Sequence, residues 1–429
     1  MKICRESGFV LSGLGGAARR SFLLLQGVCS PFFFQLGQRL EAQGHQVLKL
    51  NFNVGDQAFW PGRNAVAFRG AEAGLPSFLE GLYARYGITD QVLFGDCRPV
   101  HRPAVAQGRG FGVRTHVFEE GYFRPNWVTL EREGVNAFSR MPRDPAWFVE
   151  SARRLPEPVA RGVGASFRTR AVHDVMYHAA GALNPLLYPG YRTHAPVNAA
   201  FQYLGYMRRL PMLRLHAKPD ATLIEELIGG QTPYFLLPLQ LDGDAQIRLH
   251  SQFGDMADVM AHVLRSFALH APAESHLLIK NHPLDLGLAG HWRKAQALAR
   301  AFGVEGRVHF VETGDLTRIV RHARGTVTVN STVGSVALGE GCPTACLADP
   351  IYNLPGLTAR DGLDAFWREQ LPPDAGLFAD FRKTVIHAAQ INGGFYCRDG
   401  IALAVENAIP RLLANRSPLE VLDTLPLAA

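Results

Sequence analysis

Short apolar segments that alternate with helix-like segments are the feature that most constrains the fold of this chain. In the first half, polar residues or glycine follow each apolar segment, at residues 22–26, 46–52, 91–94 and 114–118. The alternation gives way near residue 140 to mixed helical and Pro/Gly-rich sequence, and it resumes at residue 234. Such alternation is typical of parallel sheets, which bind ligands at the carboxyl edge of their strands. The pattern predicts an α/β fold with two Rossmann-like, doubly wound domains facing a cleft.

The 429 residues divide into four predicted parts. Residues 1–20 have a glycine-rich middle and lack the apolar core of a signal peptide, so we interpret them as a disordered leader or as a start placed too early. An N-terminal domain is expected over residues 21–225, with a basic helical insertion at residues 140–218. A C-terminal domain follows at residues 226–390. Residues 391–429 are expected to form a helical tail that packs back on the N-terminal domain.

The composition is that of a folded chain without membrane spans. Hydrophobic residues make up 47% and charged residues 19%, and no stretch approaches the ~20 apolar residues of a transmembrane helix. Six cysteines are scattered along the chain, which fits a reducing compartment better than a disulfide framework. We therefore expect a cytosolic protein.

Positive charge is concentrated in the insertion. Residues 151–218 hold ten lysines and arginines against two acids, Glu157 and Asp174, so their net charge exceeds the +6 of the whole chain. Such a segment indicates an anionic partner: a nucleic acid, a nucleotide or an anionic membrane surface. An arginine-rich solvated surface is the alternative. Nucleic acid is disfavoured, because no recognisable RNA or DNA motif with interleaved aromatic residues accompanies the charge.

Two motifs follow strands of the second domain. One predicted strand runs into KNHP, where proline ends the strand, and another runs into NSTVGS at the start of a helix. Free backbone N–H groups and hydroxyls at a helix start bind anions, and Gly334 would let a phosphate approach closely. Plain helix capping is the alternative for the serine. The pair predicts a nucleotide phosphate site made of Lys280, His282, Pro283, Asn330, Ser331, Thr332, Gly334 and Ser335.

Carboxylates follow strands of the first domain. Asp96 ends one strand, and Glu119 and Glu120 end the next. Because adjacent strand residues point in opposite directions, one glutamate would face the cleft and the other would cap or pair, with Arg124 as a candidate partner. A carboxylate that faces the cleft is a candidate general acid or base. Solvated loop acids are the alternative.

A third polar cluster, QLDGDAQ followed by His250, opens the second domain. It lacks the further ligands of a calcium loop, so we expect a carboxylate nucleophile, a substrate contact or a polar hinge, and no metal site. The turn at Gln26 and Gly27 has neither the lysine of a P-loop nor a GxGxxG motif, which excludes those ATPase and NAD sites. The candidate substrate contacts are Gln26, Gly27, Arg124, Gln240, Asp242, Gln246 and His250.

These motifs resemble, in this order, the capsule polysaccharide β-Kdo transferase family of Gram-negative bacteria, of the KpsS/KpsC type. The similarity covers roughly residues 20–410, and its most specific segments are EEGYFRP, KNHP and NSTVG. The single-module length and the PLQLDGDAQI segment are more similar to the KpsS branch. The layout of two domains is that of GT-B-like glycosyltransferases.

The resemblance implies a retaining transfer of Kdo from CMP-Kdo to a (lyso)phosphatidylglycerol lipid on the cytoplasmic face of the inner membrane, which initiates the poly-Kdo linker. It implies an acid/base role for Glu119 or Glu120 and CMP binding by His282, Pro283, Ser331 and Thr332. Among Asp244, Asp242, Asp96 and the two glutamates, Asp244 is favoured as nucleophile. That assignment stays open because Leu239 stands where the relatives have an acid. No cofactor or metal is expected, and other capsule assembly and export proteins are expected partners.

Three other functions compete with this interpretation. The chain could extend an existing Kdo linker, or it could use a UDP-sugar as an epimerase or transferase with two Rossmann domains. It could also be a non-catalytic scaffold of a capsule export complex, in which case substitution of Glu120 or His282 would leave function intact.

Overall fold

The structure is a computed structural model that describes residues 19–62, 64–164, 167–193, 199–243, 247 and 250–424. Most of the predicted leader lies outside these residues, and so do two candidate site residues, Asp244 and Gln246. None of the helices in the described ranges is long and apolar enough to cross a membrane.

The first sheet contains seven strands: β1 (Ser21–Leu24), β2 (Gln46–Asn51), β3 (Ala65–Ala67), β4 (Asp90–Phe94), β5 (Arg114–Glu120), β6 (Trp127–Arg132) and β12 (Gln390–Asn392). Their order is β12-β6-β5-β4-β1-β2-β3. Strands β1 to β5 are parallel, but β6 pairs antiparallel with both β5 and β12. The sequence pattern missed β6 because buried Thr129 and Glu131 interrupt its apolar residues.

The second sheet contains five parallel strands: β7 (Tyr234–Pro238), β8 (His276–Lys280), β9 (Val308–Val311), β10 (Gly325–Thr328) and β11 (Thr344–Cys346). Their order is β11-β10-β7-β8-β9. The motifs predicted to bind phosphate therefore follow β8 and β10, the two neighbours of the central strand β7.

Helices cover both faces of each sheet. The first domain has α1 (Phe32–Ala42), α2 (Val54–Ala58), α3 (Leu75–Tyr86), α4 (Arg102–Gly110) and α5 (Pro145–Arg153). The second has α9 (Met256–His270), α10 (His291–Ala301), α11 (Leu316–His322), α12 (Thr332–Gly339) and α13 (Gly362–Phe366). Short 3-10 turns lie at Glu72–Gly74, Asn136–Phe138 and Glu305–Arg307.

Successive residues of β1 enter different cores, as a doubly wound sheet requires. Phe22 and Leu24 pack with α1 in one cluster, and Leu23 and Leu25 pack with α3 in the other. The second sheet is covered in the same way on its two faces. The predicted fold class, two Rossmann-like domains in a GT-B-like arrangement, is confirmed.

The insertion forms α6 (Phe167–Gly181), α7 (Asn184–Leu187) and α8 (Ala199–Gly229). Helix α8 runs through residues 218 and 225, where the insertion and the first domain were expected to end. Its last turns pack on the second sheet through buried Ile224 and Leu227.

After α14 (Ala375–Ala389), the chain returns to the first domain. Strand β12 joins the edge of the first sheet, and α15 (Arg398–Leu413) packs in the same core as α1. The final helix is α16 (Pro418–Asp423). Arg20 and Arg132 donate hydrogen bonds to the carbonyl oxygens of Leu412 and Ala414, which fix the end of α15.

A buried ion-pair network around Asp90 stabilises the start of β4. The Asp90 side chain is fully buried, and its Oδ1 lies 2.9 Å from both Arg114 Nε and His116 Nε2. Burial alone would raise the pKa of Asp90, but the hydrogen bond and charge of His116 and the charge of Arg114 outweigh it and hold that pKa below its ordinary value.

We expect Asp90→Asn to lower the free energy of unfolding by about 3–5 kcal/mol, because it removes the anion that pairs with buried Arg20 and with Arg114 and that contacts His116. The contribution of Asp90 is present above its ordinary pKa, 3.8, and is lost as the pH falls through the lower native value. Urea denaturation measures the difference. The control is Asp349→Asn, at an exposed ion pair with Arg143, which should cost less than about 1 kcal/mol. Equal effects of the two substitutions would contradict the assignment.

Candidate active site

The carboxyl edges of the two sheets meet where the loop after β4 contacts the loop after β7. Cys97 Sγ lies 3.0 Å from His250 Nε2, and the rings of Phe138 and His250 pack edge to face with centroids 4.8 Å apart. Residues that end strands of different domains therefore border one cleft. His250, a candidate substrate contact, lies in the contact between the domains.

Gln240 and Asn330 lie at the carboxyl edge of the second sheet, just after the neighbouring strands β7 and β10. Gln240 Nε2 donates to Asn330 Oδ1 at 3.1 Å, and Asn330 N donates to Gln240 Oε1 at 3.4 Å. This reciprocal pair fixes the turn that leads into α12. Ser331 is the N-cap of α12, and its hydroxyl accepts a hydrogen bond from Val333 N at 3.2 Å. Thr332 is exposed at the first turn of the helix.

Two other predicted members of the phosphate site face away from it. A Cβ on Gly334 would lie 2.2 Å from the Tyr352 hydroxyl oxygen, so this glycine makes room for Tyr352. Tyr352 donates to the Ser331 carbonyl oxygen at 2.5 Å. Ser335 is buried on the same turn. The phosphate contacts predicted for Gly334 and Ser335 therefore stay predictions.

The KNHP turn orients its histidine through two hydrogen bonds. Asn281 Oδ1 accepts from His282 N at 2.8 Å, and His282 Nδ1 accepts from Leu284 N at 3.1 Å. Because Nδ1 is an acceptor, the neutral imidazole carries its proton on Nε2. His282 is half-buried, and Pro283 after it is exposed.

Lys280 is the buried last residue of β8. It lies on the same face of the strand as Leu278, which packs with α11 and the end of α8. Burial lowers the pKa of Lys280, and the carboxylates of Asp220 and Glu312 oppose that shift. We assign Lys280 to the charge network beneath the KNHP turn, where Asn281 Nδ2 also donates to Glu312 Oε2 at 2.8 Å.

The two glutamates occupy the end of β5 and are each half-buried. Glu119 Oε1 accepts from Glu120 N at 3.0 Å, and Glu119 packs against Gly95, whose Cβ would lie 3.0 Å from Oε2. Burial has the largest effect on the pKa of Glu119 and raises it, as does the charge of Glu120. The Glu120 N–H and Arg98 lower it, and the resulting pKa is about 7. Glu119 can therefore hold or release a proton near neutral pH.

Glu120 accepts a hydrogen bond from the Tyr396 hydroxyl at 3.3 Å. The predicted pairing with Arg124 is wrong, because Arg124 Nε donates to the carbonyl oxygen of Gly121 at 3.3 Å. That bond closes the turn after β5 on its own backbone, so Arg124 supports the turn instead of a carboxylate.

Asp96 lies beside the glutamates, but it is buried and both of its carboxylate oxygens already contact protein groups. Its Oδ2 accepts from Val135 N at 2.9 Å, and its Oδ1 lies 3.1 Å from Cys97 Sγ. Asp96 therefore anchors the loop after β6, which makes it a poorer candidate for catalysis than either glutamate.

Gln26 and Gly27 end β1 within a buried network. Arg98 Nη1 donates to Gln26 Oε1 and to the Gly27 carbonyl oxygen, both at 3.1 Å. Gln26 Nε2 donates to the hydroxyl of Tyr177 at 3.1 Å and to Asp56 Oδ2 at 3.3 Å. The Gln26 amide is thus saturated by the protein, whereas Arg98, which the sequence analysis did not single out, is only half-buried at the same edge.

Asp242 is also held by the protein. Its Oδ1 accepts from Met256 N at 3.1 Å, and its Oδ2 lies 3.7 Å from His291 Nε2. These contacts join the loop after β7 to α9 and α10, as the polar-hinge alternative requires. Asp244 and Gln246 lie outside the described residues, so their candidate roles remain predictions.

Three functional candidates were missed by the sequence analysis: Arg98, Tyr396 and Tyr352. Arg98 stands in the segment FGDCRP directly after β4, where the carboxyl-edge rule could have identified it. Tyr352 and Tyr396 are contributed by loops distant in sequence, and no local pattern indicated either.

The family model for "Capsule polysaccharide biosynthesis protein" matches residues 89–396, which contain both glutamates and both phosphate motifs. The chain belongs to this family. The "Capsule polysaccharide modification protein LipB" of Neisseria meningitidis serogroup B is 36% identical to it over 388 residues, 88% of this chain and 91% of that protein. The "Capsule polysaccharide export protein KpsS" of Escherichia coli is 32% identical over 378 residues, 88% of this chain and 97% of that protein.

Among solved structures, Thermosulfurimonas dismutans KpsC, beta Kdo 2,7 transferase, aligns with 92% of this chain and 99% of its own, at 13% identity and a TM-score of 0.44. The resemblance drawn from EEGYFRP, KNHP and NSTVG is confirmed by the family match and by the two relatives.

The raised pKa of Glu119 predicts a pH-dependent effect of Glu119→Gln on stability. The native pKa of about 7 exceeds the ordinary 4.5, so the wild-type protein loses stability as the pH rises between these values. The variant should therefore gain stability relative to wild type between pH 5 and pH 8, by at most roughly 3 kcal/mol. Urea denaturation at the two pH values measures it. The control is Glu72→Gln, at an exposed residue, which should change the free energy of unfolding by the same amount at pH 5 and pH 8. The assignment would be refuted if the change caused by Glu119→Gln were also the same at the two pH values.

Proposed function

We propose that this chain is a glycosyltransferase that moves Kdo from CMP-Kdo to a (lyso)phosphatidylglycerol acceptor with retention, and so initiates the poly-Kdo linker of a capsular polysaccharide. One observation supports the proposal most: a carboxyl group with a pKa of about 7, Glu119, ends a strand of the first sheet, and an oriented histidine and a capped helix start follow strands of the second sheet. Family membership gives this chemistry a capsule context.

The second domain would receive the CMP phosphate. Departure of CMP leaves negative charge on a phosphate oxygen, and hydrogen-bond donors fixed in advance stabilise such charge most effectively. The donors we assign to it are His282 Nε2–H and, at the start of α12, the backbone N–H and the hydroxyl of Thr332. The positive end of the helix dipole adds to their effect.

The first domain would supply the acid/base. Retention at the anomeric carbon of Kdo implies two displacements: a carboxylate attacks as CMP leaves, and the acceptor hydroxyl then displaces that carboxylate. In the second step the acceptor proton passes to a general base. Glu119 is the residue we assign to this proton, with Glu120 held beside it by Tyr396. Asp244 remains the proposed nucleophile.

The reaction would take place at the cytoplasmic face of the inner membrane, where a phosphatidylglycerol acceptor is available, with the protein peripherally associated. Other capsule assembly and export proteins are proposed partners. No cofactor or metal is assigned a role, because His282 and α12 supply donors for the leaving phosphate.

The decisive experiment measures transfer of Kdo from CMP-Kdo generated in situ to a fluorescent phosphatidylglycerol analogue and to the same lipid already bearing Kdo. Transfer to the bare lipid supports initiation, and transfer only to the Kdo-bearing lipid replaces initiation with linker extension. Transfer to neither, by a protein that is stabilised against heat by CMP, rejects both acceptors. Stabilisation by UDP instead of CMP would favour the UDP-sugar alternative.

Glu119→Gln should reduce Kdo transfer by about 10²–10⁴-fold while leaving thermal stabilisation by CMP intact, because the carboxyl group acts on a proton and not on the nucleotide. Glu72→Gln, which removes an exposed carboxylate from another surface, should retain activity. Full transfer activity of Glu119→Gln would exclude the acid/base role. Absence of transfer by wild type, together with capsule export that Glu120→Ala and His282→Ala both leave intact, would favour the scaffold function.

His282→Ala should weaken the stabilisation by CMP as well as transfer, because it removes a donor to the phosphate. The matched control is His322→Ala, an exposed histidine at the end of α11. Transfer by wild type should also persist in EDTA. Loss of transfer in EDTA with recovery on adding a divalent cation would refute the metal-free assignment.

A further inference from the structure

Exposed apolar side chains are concentrated on the helical insertion. Of the 19 large hydrophobic residues exposed in the described part of the chain, 12 lie between residues 172 and 215. They are Val172, Val175, Met176, Leu183, Leu186, Leu187, Phe201, Leu204, Met207, Leu210, Met212 and Leu215. We name the outer faces of α6, α7 and α8 up to residue 218 the insertion surface. Contiguous apolar surface of this kind marks a docking site more often than an ordinary solvated face.

The inner faces of the same helices are fixed to the protein. On α6, the Tyr177 hydroxyl donates to Asp56 Oδ1 at 2.9 Å, which ties the helix to α2. On α8, Arg209 forms a buried ion pair with Glu312, and Tyr206 lies against the turn after β8 through the carbonyl oxygen of Leu284. The apolar residues point the other way because both helices already have a buried side.

The two helices adjoin each other, so their outer faces form one surface. Tyr203 on α8 donates to Asp174 Oδ2 on α6 at 2.9 Å, and the rings of Tyr203 and His178 lie 6.2 Å apart. Asp174 is the one acidic residue in the sequence between residues 167 and 219. This contact occupies it.

Cations are interleaved with the exposed apolar residues. Arg168 lies one turn before Val172 on α6, and Arg208, Arg214 and Lys218 lie among the apolar residues of α8; all four are exposed. Within the described part of the chain, no ion pair joins any of the four to a carboxylate. By contrast, Arg153 and Arg154, which the sequence analysis grouped in the same basic segment, both pair with Glu150 on α5.

This combination identifies the partner. A surface that exposes both apolar side chains and cations suits the interface of an anionic bilayer, because the acyl chains contact the apolar groups and the headgroups pair with the charges. A symmetric contact with a second copy would place cations against cations, which disfavours association. We propose that the insertion surface docks the protein on an anionic phospholipid bilayer, with apolar side chains of α6 and α8 inserted between the headgroups.

The same helix borders the active-site cleft. Arg170 on α6 lies 4.5 Å over the ring of Tyr396, and Tyr396 holds Glu120. Docking through the insertion surface would therefore bring the glutamates close to the bilayer. This last consequence rests on the proposed function, whereas the docking itself does not.

The test is sedimentation of the full chain with vesicles of phosphatidylcholine alone or mixed with phosphatidylglycerol, in the absence of donor. We expect binding to the anionic vesicles that weakens as salt rises. Arg208→Gln, Arg214→Gln and Lys218→Gln together should reduce it about a hundredfold. Leu204→Glu with Met207→Glu should reduce it at least tenfold at every salt concentration. The matched control is Leu371→Glu, an 81% exposed leucine outside the insertion, which should bind like wild type.

Far-ultraviolet circular dichroism and the thermal unfolding midpoint check that each variant is folded, independently of CMP binding. Absence of wild-type binding, or binding unaffected by either set of substitutions, would overturn the proposal. A wild-type dimer that Leu204→Glu with Met207→Glu converts to monomer, without vesicle binding, would assign the surface to a second copy. Glu119→Gln should bind vesicles normally, so failure of the transferase proposal and failure of docking give different results.

Discussion

An apolar cluster that bridges the two domains positions everything else at the cleft. It joins Tyr122 and Phe148 of the first domain to Leu338 and Tyr352 of the second, and Phe381 of α14 packs among them. Tyr122 lies two residues after Glu120, and Tyr352 holds the turn into α12 through Ser331. One continuous region of packing therefore fixes the acidic and the phosphate-binding halves of the site together, and a change in its volume would alter both.

The sequence was sufficient to predict the strands whose residues are apolar on both faces and whose ends carry polar groups. Strands β1, β4, β7 and β8 are of this kind, and parallel pairing then brings their ends to one edge. Strand β6 could not be predicted, because the buried Glu131 takes its hydrogen bonds from Tyr122 and Ser139, residues of other turns. A polar residue satisfied by tertiary contacts has no local signature.

Polar residues at the carboxyl edges divide into two groups that the sequence could not separate. Gln26, Asp96 and Asp242 have their polar atoms occupied by the protein, and Gly334 makes room for a tyrosine. Glu119 has a pKa that burial raises to about 7, and His282 has its ring oriented by the Leu284 N–H. The difference depends on hydrogen-bond partners such as Tyr177, Val135 and Leu284, most of which lie in other loops. Only the three-dimensional structure therefore distinguishes residues that hold the loops in place from candidate catalytic or binding residues.

The helices of the insertion are attached to different domains. Helix α6 is attached to the first domain through Tyr177, whereas α8 is attached to the second through Arg209 and ends in that domain's core. Tyr203 and Asp174 join the two helices, so the insertion forms a second link between the domains, separate from the apolar cluster at the cleft.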